Sequence, residues 1–367
     1  MDSLSLQTKI KLNLGRYTFT FNYLNLYNGS FIIYTSEEII LFNKNLSFKK
    51  IFPPKNDKES YIKLVKYINK GKILCLHNNN YYIFTINSKE IISKIKINFE
   101  KGQEVLDIIG FKNDELLAIT HTDILNIKIN DNKEEIYQIS KVPKECLLIN
   151  KKNHKLKNYD FKLSINIYEL TNDNILIASE SIETYFEDSG CVRGTQYSKK
   201  YKVVIFNIDK CKIIHHFQIS DKRHNNDYEF SFQPKDFDLI IIINNKYICI
   251  SNIYSIYIYN KYDYILIKEI KGLYMKISNF DDNMVFIIFI KSNYMEYILY
   301  DLSDINNIKY KNFSFEEIIP SEHDIYYGIN IKKLSNGKIL VIYDKTIFII
   351  KYTKQFKLLP YNEINYY

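Results

Sequence analysis

"KKLSNGKILVIYDKTIFIIKYTKQFKLL" spans Lys332–Leu359 and contains the pattern that decides the fold of this chain. An Asn-Gly turn leads into the apolar run ILVIY, a short polar turn, the apolar run TIFII and a Lys-rich segment. The apolar runs are rich in β-branched and aromatic residues, which favour strands. Asn336-Gly337 suits a tight hairpin turn, because both residues accept positive φ angles. The stretch therefore predicts antiparallel strands joined by short turns.

The same pattern recurs upstream, which indicates an internal repeat. Each copy has an alternating segment, a Gly, Asn or Asp turn, an apolar strand, a polar turn and a second strand that ends before Asn or Asp. Tyr17–Leu26, for example, alternates with the period of two that is typical of a half-buried strand. A fourth strand follows the Asn or Asp, as in Leu46–Phe52. The turn residues fall at Gly29, Gly71, Asp114, Asp173, Asn245, Asp282 and Gly337.

Four-stranded units that repeat about every 40 residues predict a β-propeller. We expect an all-β, single-domain propeller over residues 1–367, with seven four-stranded antiparallel blades. The long interval between Asp173 and Asn245 leaves six or eight blades open. The predicted blades span residues 15–52, 61–98, 104–140, 161–219, 229–270, 273–313 and 325–360.

Residues 1–14 are predicted to supply the strand that closes the ring. The segment Thr8–Leu14 (TKIKLNL) is similar to Ser93–Phe99 (SKIKINF), which occupies the fourth-strand position of the second unit. A strand here would cover an edge that is otherwise open to aggregation. It would lie beside residues 346–351, and the segment Gln355–Pro360 competes for the same place.

The repeat resembles the WD-repeat superfamily of β-propellers. The pairs Phe42-Asn43, Tyr259-Asn260 and Tyr300-Asp301 stand where that family has Trp-Asp. The chain has no Trp and no Gly-His dipeptide, so the family's network of His, Asp and Trp is absent. The resemblance implies a non-catalytic scaffold or adaptor that binds other proteins through one propeller face and its long loops.

Composition and charge exclude several classes of protein. The net charge of +8 comes almost wholly from lysine, since Arg occurs only at Arg16, Arg193 and Arg223. A lysine excess of this kind is typical of a solvated surface. Apolar runs such as Met284–Ile290 are too short for a transmembrane segment, and the N-terminus lacks the apolar stretch of a signal peptide. Five widely spaced cysteines indicate a reducing compartment, so we expect a cytoplasmic or nuclear protein.

The largest departure from the repeat lies in the fourth unit, between its second and third strands. This insertion, Glu180–Lys200, is expected to open on the same face as the links between blades, and functional sites concentrate on such loops. Aromatic residues and Arg dominate binding hot spots. We therefore predict partner binding by Tyr185, Phe186, Arg193 and Tyr197. The alternative is that the long loops are expansions in a compositionally biased genome.

An anionic lipid and a nucleic acid are the two alternatives to a protein partner. Phosphoinositide-binding propellers carry a Phe-Arg-Arg-Gly motif, of which only Arg193-Gly194 is present here. A phosphoinositide-binding or membrane-binding propeller is therefore the alternative function. The Lys-rich run Asn150–Asn158 has the charge for nucleic acid, but it lacks Arg and stacking aromatics.

Enzymatic and metal sites are not indicated. No nucleophile elbow, P-loop, zinc-protease motif or dinucleotide-binding glycine pattern occurs, so we predict no catalytic residue and no cofactor. His215 and His216 lie near Cys211 and His224, the one tight group with metal-ligand chemistry. Adjacent residues of a strand point to opposite faces, so this group is not predicted to bind metal.

Overall fold

β-Branched and aromatic residues place most of this chain in strands, because their side chains pack well on a pleated surface. A computed structural model of the protein describes residues 5–11, 22–26, 30–43, 47–52, 61–69, 71–78, 80–86, 91–100, 103–112, 115–130, 133–146, 159–171, 173–188, 193–219, 239–252, 255–271, 274–281, 283–291, 294–305, 308–313, 330–334, 338–343, 346–351 and 359–360. The chain forms two compact units, Met1–Asn98 with Ile240–Tyr367, and Phe99–Leu239.

The N-terminal part of the first unit contains one separate strand and two sheets. The separate strand is β1 (Ser5–Lys11). Sheet 1 consists of β2 (Asn22–Asn25), β3 (Phe31–Tyr34), β4 (Ile39–Phe42) and β5 (Phe48–Phe52). Sheet 2 consists of β6 (Ile62–Asn69), β7 (Lys72–His77), β8 (Asn80–Ile86) and β9 (Ile91–Ile97).

The second unit contains two sheets and a short 3-10 turn at Lys144–Cys146. Sheet 3 consists of β10 (Val105–Gly110), β11 (Leu116–Thr120), β12 (Asp123–Asn130) and β13 (Lys133–Lys141). Sheet 4 consists of β14 (Tyr159–Glu169), β15 (Asn174–Asp188), β16 (Arg193–Asn207) and β17 (Lys212–Phe217).

The C-terminal part of the first unit contains the remaining strands. Sheet 5 consists of β18 (Ile240–Ile243), β19 (Tyr247–Ser251), β20 (Ser255–Asn260) and β21 (Leu266–Lys271). Sheet 6 begins with β22 (Tyr274–Asp281), β23 (Met284–Lys291), β24 (Tyr294–Asp301) and β25 (Lys309–Phe313). The last strands are β26 (Asn330–Lys333), β27 (Ile339–Tyr343), β28 (Thr346–Lys351) and β29 (Leu359–Pro360).

The sheets are antiparallel and pair mainly in chain order, which is the architecture of a β-propeller. The prediction of seven four-stranded blades holds only in part. Within the described ranges, six sheets have four strands, and sheet 6 has five because β29 pairs with β25. The single all-β propeller is the correct fold class.

The N-terminal strand completes sheet 7, which also contains β26, β27 and β28. β1 runs antiparallel to β28, with Ser5 opposite Lys351 and Lys11 opposite Thr346. Of the competing segment 355–360, Leu359–Pro360 pairs instead with β25, and residues 355–358 lie outside the described residues. The first strand of the chain is therefore the outer strand of a sheet built by its C-terminal part.

Apolar side chains from neighbouring sheets form the cores. In the first unit, separate clusters join sheets 5 and 6, sheets 7 and 1, and sheets 1 and 2. In the second unit, one cluster joins sheets 3 and 4. In inner strands such as β3, β4 and β11 the residues of both faces are buried, so these strands are continuous apolar runs rather than alternating ones.

The residues at the Trp-Asp positions keep two separate structural roles. Phe42, Tyr259 and Tyr300 are buried, so an aromatic ring fills the core at each of these positions. The residue that follows each ring accepts a backbone N–H from the next turn, as Asn260 does from Tyr262 at 2.8 Å. Asp301 accepts likewise from the backbone of Ser303 at 2.9 Å. Asn and Asp stabilise turns in this way without a Trp-based network.

The outer strand of each four-stranded sheet contains a β-bulge. One residue of that strand is skipped in the pairing with its inner neighbour, which shifts the register. Bulges twist an edge and hinder the addition of further strands. The skipped residues are Gln7, Ile51, Ile92, Ile139, Ile214 and Ile267. The pairing of β24 with β25 has no such shift.

Candidate interaction surfaces

The segment Glu180–Lys200 is mostly a β-ribbon rather than a loop. β15 and β16 have 15 residues each and pair from Asn174 opposite Asn207 to Asp188 opposite Arg193. β14 follows this extension as far as Tyr159, which lies opposite Tyr185. The prediction of a loop insertion is therefore wrong, because polar residues that alternate with Ile, Tyr and Phe continue the strand pairing. The ribbon extends beyond β17, which pairs only with residues 203–207.

The four predicted partner-binding residues lie on this ribbon, on two faces. Cross-strand partners share a face, and successive residues alternate between faces. The register pairs Phe186 with Thr195, and Tyr197 with Thr184. Phe186, Arg193 and Tyr197 therefore occupy positions on one face, whereas Tyr185 occupies the opposite face. The contacts of these four side chains lie outside the described part of the structure.

A buried polar layer anchors the base of the ribbon. Ser179, Glu180 and Ser181 are all buried, although they continue an apolar strand. The hydroxyl of Ser179 donates to the carbonyl oxygen of Cys146 at 2.9 Å. A carboxylate oxygen of Glu180 accepts from the backbone N–H of Leu239 at 3.1 Å. These contacts tie the ribbon to segments that precede and follow sheet 4. These contacts were not predicted, although the polar run Ser-Glu-Ser within an apolar strand is a signal of them in the sequence.

Polar pairs link the third strand, or the residue just before it, to the outer strand in three sheets. In sheet 1, Lys50 lies 2.5 Å from the carboxylate of Glu38. In sheet 3, Lys141 lies 2.6 Å from the carboxylate of Asp123. This lysine, with the hydroxyl of Thr122, lowers the pKa of Asp123. In sheet 5, the hydroxyl of Ser255 donates to Glu269 at 2.9 Å. These groups are satisfied by neighbours in their own sheets, so they stabilise the fold.

Asp107 links the inner strands of sheets 3 and 4. One carboxylate oxygen accepts from its own neighbour, the backbone N–H of Ile108, at 2.8 Å. The other accepts from the backbone N–H of Ile167 in β14, also at 2.8 Å. Burial raises the pKa of Tyr168, and the charge of Asp107 raises it further. Both carboxylate oxygens accept hydrogen bonds from backbone N–H groups, so this buried acid has a structural role.

The most exposed apolar side chains of sheet 5 form a strip at the start of β21. Tyr262 is 74% exposed, Ile265 63%, Leu266 46% and Ile267 36%. We call these four residues the apolar strip. The Tyr262 hydroxyl donates to the carbonyl oxygen of Asn245 at 3.1 Å, which holds the ring against the turn between β18 and β19. The apolar strip was not predicted, because its run ILI resembles the buried runs of other strands.

Other described outer strands expose large apolar side chains singly. Phe48 in β5, Tyr137 in β13 and Ile214 in β17 are examples. Single exposed apolar residues are normal on a protein surface, whereas the four residues of the apolar strip lie within six positions of the sequence, Tyr262 to Ile267. The apolar strip is therefore the feature of the described surface that departs from the repeat.

The histidines of β17 follow the alternation of an ordinary strand. His215 is partly buried and its ring contacts that of Phe217 at 4.8 Å, whereas His216 is exposed. Burial lowers the pKa of His215, and the neighbouring His216 lowers it further. His224 lies outside the described residues. Within the described ranges, no three His, Cys, Asp or Glu side chains are placed to hold a metal ion.

Burial makes three of the thiols poor nucleophiles. It raises the pKa of Cys75, Cys146 and Cys249 to about 12 in each case. A thiol with so high a pKa stays protonated near neutral pH, and the thiolate is the reactive form. Cys211, by contrast, is exposed in the turn between β16 and β17. The described part of the chain has no helix that is long and apolar enough to cross a membrane.

Comparison with solved structures finds extensive similarity at low sequence identity. Virginiamycin B lyase from Staphylococcus aureus is 14% identical and has a TM-score of 0.53, over 96% of this chain and 100% of that one. The extracellular domain of BT3049 from B. thetaiotaomicron is 13% identical, with a TM-score of 0.52, over 93% of this chain and 41% of that one. The WD40 domain of SCAP from fission yeast is 10% identical, with a TM-score of 0.45, over 94% and 98%.

Sequence comparisons add no closer relationship. No protein-family model matches the chain, and no curated protein matches it. Identities of 14% or less show a shared fold and do not transfer the activity of a lyase or of any other neighbour. Together with the repeated antiparallel sheets, the similarities show that this chain has the fold of a β-propeller.

Proposed function

We propose that this protein is a non-catalytic scaffold that binds other proteins through the surface of sheet 5 and the ribbon of sheet 4. The apolar strip is the observation that carries the proposal. Four large apolar side chains in one short segment remain exposed to water, and their burial against a partner would be favourable. Tyr262 is also the kind of residue that dominates binding hot spots, because its ring is large, rigid and amphipathic.

Lysines beside the strip add specificity to this surface. Lys261, Lys268 and Lys271 lie within or next to the same segment, whereas its acids are Asp263 and Glu269. The carboxylate of Glu269 already accepts a hydrogen bond from Ser255. An apolar partner surface with a rim of carboxylates would therefore be complementary in both hydrophobicity and charge.

The ribbon provides a second proposed surface. Three strands carry it beyond the part of sheet 4 that includes β17, and the buried layer around Glu180 holds its base. Phe186, Arg193 and Tyr197 remain proposed contacts on one face, and Tyr185 remains one on the other. A paired ribbon orders these positions before binding, so less conformational entropy is lost than with a flexible loop.

A phosphoinositide site at Arg193-Gly194 is the weaker alternative. The register places Asp188 opposite Arg193, and Glu187 opposite Gly194. Acidic residues at these positions repel a lipid phosphate and compete for the single guanidinium. The Lys-rich run at residues 150–158 lies outside the described residues. The described lysines of the outer strands are spread over several sheets. Lysine on an outer strand hinders the addition of further strands and so protects the edge from aggregation.

The proposal includes neither catalysis nor a cofactor. Buried thiols with a raised pKa are poor nucleophiles, and Asp107 is engaged by backbone amides through both oxygens. Free cysteines at Cys75, Cys146, Cys211 and Cys249 suit a reducing compartment, so we propose that the protein acts in the cytoplasm or nucleus.

Affinity capture with two matched variants tests the scaffold proposal. The double variant Ile265→Ser/Leu266→Ser removes the centre of the apolar strip, and Phe48→Ser removes a singly exposed apolar residue of sheet 1. Captured proteins are quantified by mass spectrometry, and the main partner is then purified and titrated against each variant. We expect at least tenfold weaker binding by the strip variant and unchanged binding by Phe48→Ser. Equal binding by wild type and both variants would exclude the strip as the interaction surface.

A further inference from the structure

Two lysines stand side by side at one end of sheet 5. The backbone N–H of Lys261 donates to the carbonyl oxygen of Lys246 at 2.8 Å, next to the paired residues Tyr247 and Asn260. Lys246 lies in the turn between β18 and β19, and Lys261 lies in the turn between β20 and β21. We call these two residues the lysine pair. Like charges at facing positions of neighbouring strands repel each other, so the lysine pair does not stabilise the fold.

No acid in the described part of the chain forms an ion pair with either member of the lysine pair. By contrast, Lys50 and Lys141 on other sheets lie 2.5 Å and 2.6 Å from carboxylate oxygens. Asp263 is the acid nearest to the lysine pair in the sequence, and its carboxylate accepts the backbone N–H of Ile265 at 3.0 Å. The first lysine of the pair is exposed and the second is partly exposed. The lysine pair can therefore bind carboxylates from outside the chain.

A hydrogen-bonded turn holds part of the apolar strip beside the lysine pair. The Tyr262 hydroxyl donates to the carbonyl oxygen of Asn245, which directly precedes the first lysine, at 3.1 Å. The backbone N–H of Tyr262 donates to the side chain of Asn260 at 2.8 Å. The N–H of Asn260 donates to the carbonyl oxygen of Ile265 at 2.9 Å, and that of Tyr264, whose φ is 63°, donates to the carbonyl oxygen of Asn260 at 3.0 Å. These bonds fix the exposed ring of Tyr262 before a partner binds, which reduces the entropy lost on binding.

The charge of this surface favours an acidic partner over a second copy of the chain. The surface has four lysines, which are the lysine pair with Lys268 and Lys271, and two acids, which are Asp263 and Glu269. Glu269 already accepts a hydrogen bond from Ser255. A symmetric dimer through this surface would bring two basic patches together, in a chain whose net charge is already +8. A segment that carries carboxylates beside an apolar side chain would instead neutralise the lysines and cover the apolar strip.

We propose that the lysine pair and the neighbouring Tyr262 form a docking site for a short acidic segment of a partner protein. A carboxylate of the segment binds between the two ammonium groups, and an adjacent apolar side chain packs against Tyr262 and Ile265. This inference rests on the proposed scaffold function, and it specifies the chemistry of the partner at the apolar strip. Because the charges of this site are exposed to solvent, added salt weakens the binding.

Peptide binding to the full chain tests the proposal. The probe is a fluorescently labelled peptide with Leu-Phe between two pairs of Glu, and its binding is measured by anisotropy. One control peptide has Gln in place of each Glu, and the other has Ser in place of Leu and Phe. We expect each control to bind at least about threefold more weakly than the probe. Added salt should weaken binding of the probe and leave binding of the Gln peptide unchanged.

Variants of the chain show where the probe binds. Lys246→Ala/Lys261→Ala removes the mutual repulsion of the lysine pair, so the variant keeps the fold, and it should lose most of the preference for the Glu peptide over the Gln peptide. Lys49→Ala/Lys96→Ala removes the same charge from exposed positions on sheets 1 and 2, and it should keep this preference. Tyr262→Ser should weaken the binding of both peptides alike. Circular dichroism verifies that each variant is folded.

Three results would overturn the proposal. Equal binding of the Glu and Gln peptides would show that the surface does not recognise carboxylates. Equal loss of probe binding in the two double-lysine variants would show attraction by net charge without a specific site. Binding to phosphatidylserine vesicles that requires the lysine pair, without binding of the probe, would assign this surface to a membrane.

The captured partner separates this inference from the scaffold proposal. If its binding requires Ile265 and Leu266 but is unchanged in Lys246→Ala/Lys261→Ala, the scaffold proposal stands and the docking site for an acidic segment is refuted. If its binding is unchanged in both of these double variants, the apolar strip is refuted as the interaction surface as well.

Discussion

Replacement of Asp107 by Ala should destabilise the link between sheets 3 and 4. Its carboxylate accepts two backbone hydrogen bonds of 2.8 Å, from Ile108 and from Ile167. The side chain is buried, so water cannot easily replace it. Loss of an acceptor leaves a buried N–H unsatisfied, at a cost of about 1–3 kcal/mol for each such group. We therefore expect Asp107→Ala to cost about 2–6 kcal/mol, and Asp107→Asn, which keeps one acceptor oxygen, about half of this.

Thermal unfolding followed by circular dichroism measures this effect. An unfolding entropy of about 2.1 cal/mol/K per residue, over 367 residues, converts 4 kcal/mol into a fall in Tm of about 5 °C for a single transition. Asp209→Ala is the control, because Asp209 is exposed in the turn between β16 and β17. Amide hydrogen exchange at Ile167 should accelerate in Asp107→Ala. An unchanged Tm together with unchanged exchange at Ile167 would refute this account of Asp107.

Three further predictions test other parts of the structure. Deletion of residues 1–14 should lower Tm, because β28 loses its outer strand; a chain that melts at the wild-type temperature would contradict this role of β1. Asp123→Asn should make the free energy of unfolding less dependent on pH in the acid range. A lowered pKa means that Asp123 stabilises the fold above its ordinary pKa of about 3.8, and that this contribution is lost as pH falls through the lower folded-state pKa; equal acid sensitivity of variant and wild type would argue against it. Among the described cysteines, a thiol reagent at neutral pH should modify Cys211 in the native protein, and rapid modification of Cys75 or Cys249 as well would be inconsistent with their burial.

Local signals in the sequence predicted the repeated strands well. β6–β9 follow the predicted order of strands and turns, with Gly71 in the turn between β6 and β7. These features depend on residues close together in the chain: a Gly or Asn turn, two apolar runs and an Asn or Asp that caps the next turn. Such signals survive even where Trp-Asp and Gly-His have been lost.

Features that depend on exact register or on distant residues were not predicted. The fifth strand of sheet 6 joins Pro360 to Lys309, and Asp107 binds the backbone of Ile167. Neither pairing has a local signature. The sequence predicts a loop where β15 and β16 extend as a ribbon, because the polar residues of the ribbon interrupt its apolar alternation. The apolar strip was not predicted, because the exposure of its side chains depends on the neighbouring sheets and not on the run of Ile and Leu itself.

Hydrogen–deuterium exchange of the chain with and without its main captured partner locates the surface to which that partner binds. The scaffold account predicts slower exchange in the segment Tyr262–Lys271, in the ribbon 181–200 or in both, and unchanged exchange in β3, β7 and β11. Strong protection confined to segments away from sheet 5 and the ribbon would contradict the account, since the partner would then bind a surface that neither feature contributes to.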